Sequence, residues 1–158
     1  MSIALASRAR RVVAAVEDPE LPFLTIEELG ILRGVDVESD GSLVVTVTPT
    51  YSGCPATEAI RDSIVEALAV AGYPRATVRT VFSPPWTTDD VTAEGKRKLE
   101  AGGIAPPRQL SRGEDAAVLC PRCRDSHPRV VSEFGSTACK ALMVCTRCGE
   151  PFDHFKEL

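Results

Sequence analysis

Two Cys-x-x-Cys pairs near the end of the chain constrain its folding more than any other feature. They are Cys120-Pro-Arg-Cys123 and Cys145-Thr-Arg-Cys148, with 21 residues between them. This spacing suits a tetrahedral site in which each pair supplies two thiolates across a short β-ribbon. A module of about 40 residues buries too little apolar surface to fold well alone, so we expect a metal ion to hold it together. We interpret the four-cysteine site first as a structural zinc site. Iron or an iron–sulfur cluster is the alternative occupant, because thiolates bind all of these.

Other side chains of the same module could also bind metal. Cys139 is interpreted either as a buried apolar residue or as an extra ligand. His127 and His154 are secondary candidates, because a lone histidine more often lies on the surface or beside a site than in it. Since four cysteines already complete a tetrahedron, the pattern implies no open position for catalysis.

The composition of the chain limits the classes of protein to consider. Its 158 residues make one ordinary domain or one small domain with an appendage. The net charge of −4 argues against a nucleic-acid binder that relies on a basic face. No apolar run approaches the ~18 residues needed to span a bilayer, and arginines interrupt the N-terminal segment. We therefore expect a cytoplasmic protein with reduced thiols and no membrane partner.

The periodicity of apolar residues in the first hundred positions predicts an α/β (α+β) domain, a small mixed sheet packed with helices. The predicted helices and strands cover residues 3–17, 31–38, 43–50, 56–73 and 75–83. The turn Ser39-Asp40-Gly41-Ser42 predicts a hairpin between the first two strands. The following strand–helix–strand order predicts a parallel pair. The second helix should bury a stripe of four side chains, Ile60, Ile64, Leu68 and Ala71.

Two shorter segments and a change in composition complete the expected organisation. Thr25 and Glu28 have the spacing of a capping box for a one-turn helix, and residues 88–101 predict a polar helix. Glycine, proline and charged residues then become frequent, which is typical of a linker. The predicted organisation is a first domain, a linker and a small four-cysteine metal-ribbon module, at 1–100, 101–117 and 118–158.

Cys54 is the lone cysteine of the predicted first domain. It lies in Tyr51-Ser-Gly-Cys-Pro55, where Pro55 fits the first helical position and makes Cys54 the expected N-cap. Its sulfur would then face free backbone N–H groups at the positive end of the helix, which favours the thiolate that binds metal or attacks. The alternative is a buried, inert cysteine. No histidine precedes residue 120, so a Cys–His pair within this domain is excluded, which disfavours a thiol enzyme.

Two further features have both a functional and a structural interpretation. Asp18 and Glu20 flank Pro19, and such paired carboxylates can bind metal or transfer protons, although most are solvated helix ends. Trp86 follows two prolines. It is interpreted either as a side chain that covers the hydrophobic core or as an anchor for a partner protein.

Three motifs in order, EDPELPFLTIEELGIL, TPTYSGCPATEAI and VFSPPWTTDDVT, resemble the SufT-like iron–sulfur assembly domain family. The resemblance implies a compact α/β fold and a part in maturing iron–sulfur proteins. It places the family's motif cysteine on Cys54 and its acidic motif on Asp18 and Glu20. These residues would then handle iron or a transient iron–sulfur cluster.

The C-terminal run FGSTACKALMVCTRCGEPFDHFKEL resembles the tail of PaaD-like proteins, the family of phenylacetyl-CoA epoxidase D subunits. That resemblance implies a non-catalytic factor that helps to assemble the metal centres of a multicomponent epoxidase, which has a diiron oxygenase and a reductase with flavin and a 2Fe–2S cluster. The paired cysteines match the family's zinc-ribbon-like tail, and Cys139 matches its GSTxCKA motif. Relatives commonly end in FKC plus one residue. Glu157 stands at that cysteine's place here, which argues against any scheme that pairs Cys139 with a terminal cysteine as ligands or as a disulfide. The four-cysteine site is unaffected.

The expected partners are the reductase or oxygenase components of the epoxidase and the iron–sulfur assembly machinery. One thiolate cannot hold a cluster, which usually needs four ligands. Cys54 therefore predicts either a homodimer that pairs two copies or extra ligands from Asp18, Glu20 or a partner's thiols. The alternative function is a structural docking subunit of the epoxidase, with a zinc tail and an inert Cys54.

Overall fold

The computed structural model describes residues 2–107 and 117–157. It divides the chain into two compact units, Met1–Trp86 and Thr87–Leu158. The predicted fold class is confirmed, because a small mixed sheet with helices is followed by a group of four cysteines. Within the described residues, no helix is both long enough and apolar enough to cross a bilayer.

The first unit contains two helices and a three-stranded sheet in the order β1-β2-β3. Its elements are α1 (Ser2–Ala14), β1 (Leu32–Val37), β2 (Leu43–Val47), α2 (Ala56–Val70) and β3 (Ala76–Thr80). Strands β1 and β2 form the predicted antiparallel hairpin, and β2 and β3 form the predicted parallel pair on either side of α2. The central strand alternates inward and outward, so that it buries Leu43, Val45 and Val47.

The helices of this unit are close to the predicted ones but shorter. Helix α1 ends at Ala14 because the chain leaves it to pair with a later segment, where Glu17 forms an isolated antiparallel bridge with Thr25. Helix α2 buries Ile60, Ile64 and Leu68 as predicted. Ala71 is exposed, so its predicted place in the buried stripe is wrong, because the helix has already ended at Val70.

The predicted capping box forms, but the helix that it was expected to begin does not. The backbone N–H of Thr25 donates to the Glu28 carboxylate at 3.0 Å, and the N–H of Glu28 donates to Thr25 Oγ1 at 3.2 Å. Gly30 follows with a φ of +73°. This left-handed glycine ends the segment after one hydrogen-bonded turn, so the chain can enter β1 directly.

In the described residues of the second unit, a helix accompanies a four-stranded sheet in the order β4-β7-β6-β5. Its elements are a 3-10 turn (Thr88–Asp90), α3 (Ala93–Ala101), β4 (Ile104–Ala105), β5 (Pro128–Ser132), β6 (Lys140–Cys145) and β7 (Pro151–Phe155). The predicted helix over 88–101 is therefore divided. The Thr92 side chain accepts a hydrogen bond from the Gly95 N–H at 3.0 Å, and this cap starts α3 at Ala93.

The division of the chain differs in place from the predicted domain boundaries at 100 and 118. Helix α3 falls in the second unit, and Ile104–Ala105, inside the predicted linker, pairs in parallel with Asp153–His154. Residues 108–116 of that linker lie outside the described residues. The boundaries at 100 and 118 stay a prediction.

We expect Ile64→Ala to destabilise the first unit by about 2–5 kcal/mol, since it removes a fully buried side chain of α2 and leaves a cavity. Urea unfolding followed by Trp86 fluorescence measures this, because Trp86 is the chain's single tryptophan and belongs to the first unit. The control is Val70→Ala on the same helix, where the side chain is 85% exposed. That variant should stay within about 0.5 kcal/mol of wild type. Equal losses in both would contradict the assigned core.

Candidate functional site

The side chains of Cys120, Cys123, Cys145 and Cys148 form one cluster in the second unit. Their four sulfur atoms all lie within 4.8 Å of one another. The Sγ–Sγ distances are 3.8 Å between Cys120 and Cys148 and 3.5 Å between Cys123 and Cys145. A zinc tetrahedron with bonds of about 2.3 Å has sulfur–sulfur edges of ~3.8 Å. The four thiols therefore fit zinc with little movement.

The same backbone turn builds both halves of this site. In the first, the N–H of Arg124 donates to the Cys120 carbonyl at 2.9 Å, and the Cys120 N–H donates to the Asp125 carbonyl at 2.9 Å. In the second, Gly149 and Glu150 repeat these bonds with Cys145, at 3.0 and 2.9 Å. The fifth residue of each turn is left-handed, with a φ of 65° at Arg124 and 77° at Gly149. Each turn thus presents its two thiols on one side.

The thiols of Cys145 and Cys123 differ in pKa because their surroundings differ. The backbone N–H of Cys148 donates to Cys145 Sγ at 3.5 Å and, against burial, lowers the pKa of the Cys145 thiol to about 7. For Cys123, a backbone hydrogen bond from Asp125 lowers the pKa, but burial and the neighbouring thiols outweigh it and raise the pKa to about 12. A divalent metal must displace such protons before it binds, so metal binding to this cluster releases protons.

An apolar cluster supports the thiols from within the unit. Ala105, Met143 and Phe152 are buried together with Cys120 and Cys145. Ala105 belongs to β4, the short strand that the sequence analysis missed. The available signal was the apolar pair Ile104-Ala105 between Gly103 and Pro106. Because Cys120 and Cys145 are buried on this side, water is kept away from their sulfur atoms, which would strengthen their electrostatic interactions with a bound metal.

Cys139 stands apart from this cluster. It is buried, its Sγ lies 3.0 Å from Thr137 Oγ1, and the group of four thiols found among the described residues does not include it. Its interpretation as a buried apolar residue fits this position. Its role as an extra ligand stays a prediction.

The two histidines also lie outside the four-thiol group. His154 is buried on β7, with Nδ1 3.3 Å from the Ala105 carbonyl and Nε2 3.5 Å from the Glu157 carboxylate. His127 has an exposed side chain, and its Nδ1 lies 3.2 Å from Ser126 Oγ. His154 thus links β7 to β4, which is a structural position.

Cys54 lies in the first unit as a half-buried free cysteine between β2 and α2. Its predicted place as the N-cap is wrong by one residue. The cap is Pro55, with a φ of −66° and a ψ of −22°, and no side chain of the described residues forms a capping hydrogen bond there. Gly53 precedes it with a φ of +84°, and the Cys54 N–H donates to the Tyr51 carbonyl at 3.2 Å. The thiol is thus presented at the end of a tight turn.

Asp18 and Glu20 occupy the turn after α1. The buried Asp18 carboxylate accepts hydrogen bonds from the N–H groups of Glu20 at 2.8 Å and Leu21 at 2.9 Å. These bonds give Asp18 a structural role, because they close the turn that carries it. A depression of about 430 Å³ beside it is lined by Glu17, Asp18, Pro19 and Ser63 among others, and Cys54 is not one of its lining residues.

Two family models match the chain. Residues 7–81 match the iron–sulfur cluster assembly protein family, and residues 104–156 match the PaaD zinc beta ribbon domain. An Escherichia coli K12 protein, named as the putative D subunit of 1,2-phenylacetyl-CoA epoxidase, is 45% identical over 147 residues, which is 92% of this chain and 88% of that protein. The chain belongs to the family of phenylacetyl-CoA epoxidase D subunits. The resemblance drawn from its motifs is thereby confirmed.

The first unit has relatives of its own. The Bacillus subtilis protein named Fe-S protein maturation auxiliary factor YitW is 36% identical over 100 residues, which is 63% of this chain and 97% of that protein. The crystal structure of a domain of unknown function, DUF59, from Bacillus anthracis is 27% identical, with a TM-score of 0.57, and the match covers 62% of this chain and 93% of that one. The chain thus joins an iron–sulfur assembly domain to a zinc ribbon.

We expect Cys145→Ser to lower zinc affinity by more than about 100-fold, because even residues that only orient ligands cost 10- to 100-fold when they are changed. Purified wild type should hold about one zinc ion per chain. Zinc content by mass spectrometry and competition with a chelator measure both. The matched control is Cys139→Ser, another buried cysteine of the same unit, which should keep its zinc. Equal zinc loss in the control would place Cys139 among the ligands.

Proposed function

We propose that the chain is a non-catalytic maturation factor of the phenylacetate degradation pathway. It assists the assembly of iron or iron–sulfur centres in the multicomponent phenylacetyl-CoA epoxidase. The observation that carries this proposal is the joining of two modules in one chain, an iron–sulfur assembly domain over residues 7–81 and a PaaD zinc ribbon over residues 104–156. The names of the relatives, an epoxidase subunit and maturation auxiliary factors, support the same role.

Cys54 is the residue that would hold the cargo. It is a half-buried free thiol on a tight turn of the assembly domain, and thiolate is the usual protein ligand of iron–sulfur clusters. One thiolate is too few, since clusters usually need four ligands. Asp18 already closes its own turn with two hydrogen bonds, so this geometry favours thiols from a second copy or from a partner over Asp18 or Glu20. A weak and incomplete site suits delivery, because a carrier must release its cargo.

The ribbon would serve as a docking scaffold. Zinc, when bound, supplies folding energy to such a module, and the four thiols present fit it, although thiolates also accept iron. Complete coordination by cysteine leaves no position for a substrate, which supports a non-enzymatic role. The partners we propose are the reductase or oxygenase components of the epoxidase and the iron–sulfur assembly machinery. A cytoplasmic location would keep all these thiols reduced.

A second candidate function is a structural docking role in the epoxidase complex, with an inert Cys54. One observation favours it. Among the described residues, no group of potential metal ligands includes Cys54, and the depression beside Asp18 is not lined by it. In that case the first unit would contribute shape to the epoxidase complex and no metal chemistry.

Metal loading of purified protein separates the two candidates. Wild type, Cys54→Ala and Cys139→Ala are purified without oxygen, reconstituted with iron and sulfide, and assayed for zinc, iron and sulfide. We expect zinc in all three and iron with sulfide in wild type and Cys139→Ala alone, because only Cys54 offers a thiol in the assembly domain. Iron binding that survives Cys54→Ala, or none in wild type, would defeat the carrier role.

Maturation of the epoxidase tests the role in the pathway. The epoxidase components are co-expressed with wild type, with Cys54→Ala or with no factor, and their iron content and activity are measured. We expect Cys54→Ala to leave both at the level without the factor, since delivery needs the thiol. The docking alternative predicts that Cys54→Ala supports the enzyme as well as wild type does.

A further inference from the structure

An open groove of about 510 Å³ runs between α1 and α2 on the surface of the first unit. Its lining consists of Val12 from α1 and, from the second half of α2 and the residue after it, Ser63, Glu66, Ala67, Val70 and Ala71. Further along α1, Ala15 and Val16 line the neighbouring depression together with Ser63. Later residues of α1 thus lie beside earlier residues of α2, so the two helices run antiparallel.

The groove leaves apolar side chains in contact with water. Val70 is 85% exposed, the highest value among the large apolar side chains of the described residues. Val12 and Ala67 are half-buried and complete the apolar part of the lining. Cys54 does not line the groove, so the proposed cargo site leaves this face unused. A partner that covers these side chains would remove their apolar surface from water, which favours association.

The two helices that bound the groove carry opposite charges. All the charged residues of α1 are arginines, whereas α2 has three acidic residues and one arginine. Arg8 and Arg11 are exposed on α1, and Asp62 and Glu66 are exposed on α2. Arg8 lies one helical turn from Val12, and Glu66 lines the groove itself. Within the part of the chain that the structure describes, no ion pair uses any of these four charged side chains.

A second copy of the same face complements this charge pattern. In an isologous dimer one surface patch packs on itself, so each helix faces either its own counterpart or the other helix. A twofold axis across the groove would set α1 on α1 and α2 on α2, which brings like charges together. A twofold axis along the groove sets α1 of each copy on α2 of the other, so the basic helix meets the acidic helix twice. We propose that this face binds a second copy of the chain in the latter arrangement.

The axis along the groove also keeps residues of both copies at the same level. Arg11 is adjacent to Val12, which lines the groove together with Glu66. Each Arg11 therefore faces Glu66 of the other copy. The exposed Val70 of each copy is covered by α1 of the other, where the apolar stem of an arginine packs well on it. The charges set the orientation, and the apolar groove supplies the surface that is buried.

This dimer has a consequence for Cys54. Because the axis runs parallel to α2, both copies of α2 begin at the same end of the dimer, and Cys54 directly precedes the start of this helix. The two thiols thus lie at one end, as a cargo site made by two copies would need. That use of the dimer rests on the proposed function, whereas the dimer itself does not.

The size of the face sets the strength of the dimer. Helices of 13 and 15 residues are about 20 Å long, and two of them side by side are about 20 Å wide, so each copy would bury ~400 Å². A standard interface buries about 800 Å² per partner, so we expect a weak dimer that dissociates in the micromolar range or above. Dilute protein, as used for unfolding followed by fluorescence, is then monomeric and keeps Val70 exposed.

Charge reversal tests the arrangement directly. The full chain is studied by sedimentation equilibrium from about 1 μM to about 1 mM. We expect a reversible equilibrium of monomer and dimer, and at least about tenfold weaker association of Arg11→Glu and of Glu66→Arg, since each change sets like charges opposite each other twice. An equimolar mixture of the two variants should associate as well as wild type, because opposite charges then face each other again.

Two further variants serve as controls. Arg129→Glu makes the same change at an exposed residue of β5 in the second unit and should associate like wild type. Cys54→Ala should do so too, which separates the dimer from the cargo role. A wild type that stays monomeric up to about 1 mM, single reversals that associate like wild type, or a mixture that does not recover would overturn the proposal.

Discussion

The fold of the second unit depends on the convergence of four thiols into one tetrahedral arrangement. Cys120 and Cys123 come from a turn before β5, while Cys145 and Cys148 come from the turn between β6 and β7. The small apolar cluster around Met143 and Phe152 packs with two of these cysteines. An ion bound by the four thiols would displace their protons and join the two turns, so metal binding would be coupled to the folding of this core.

The cysteine spacing predicted that these four thiols come together, because two turns of fixed shape and a tetrahedron leave few alternatives. The sequence also predicted the hairpin, the parallel crossover and the buried side of α2. Each follows from the local periodicity of apolar residues and from turn residues. Strand β4 could not be predicted from the sequence. Two apolar residues between glycines and prolines are too few to show a hydrophobic periodicity, and they pair with Asp153 and His154 on a strand about 50 residues away.

The acidic motif and Cys54 show a different limit of sequence reasoning. Asp18 and Glu20 were predicted as a carboxylate pair, but hydrogen bonds within the turn and the pairing of Glu17 with Thr25 decide where the Asp18 oxygens point. The two Asp18 bonds are local ones within its own turn, whereas the bridge between Glu17 and Thr25 joins residues that no local pattern connects. Cys54 likewise lies one residue before the assigned cap, Pro55, where no side-chain capping hydrogen bond forms among the described residues. A functional interpretation of such residues therefore needs the surrounding turns as well as the motif.

The two knuckle turns differ in one residue, and the difference matters outside the metal centre. Gly149 takes the left-handed position of the second turn at no steric cost, whereas the first turn places Arg124 there. Arg124 forms an ion pair with Glu100 on α3. A glycine would relax the backbone but sever this link. The residue at the left-handed position of the first knuckle thus also ties that turn to α3, a link for which the glycine of the second knuckle has no side chain.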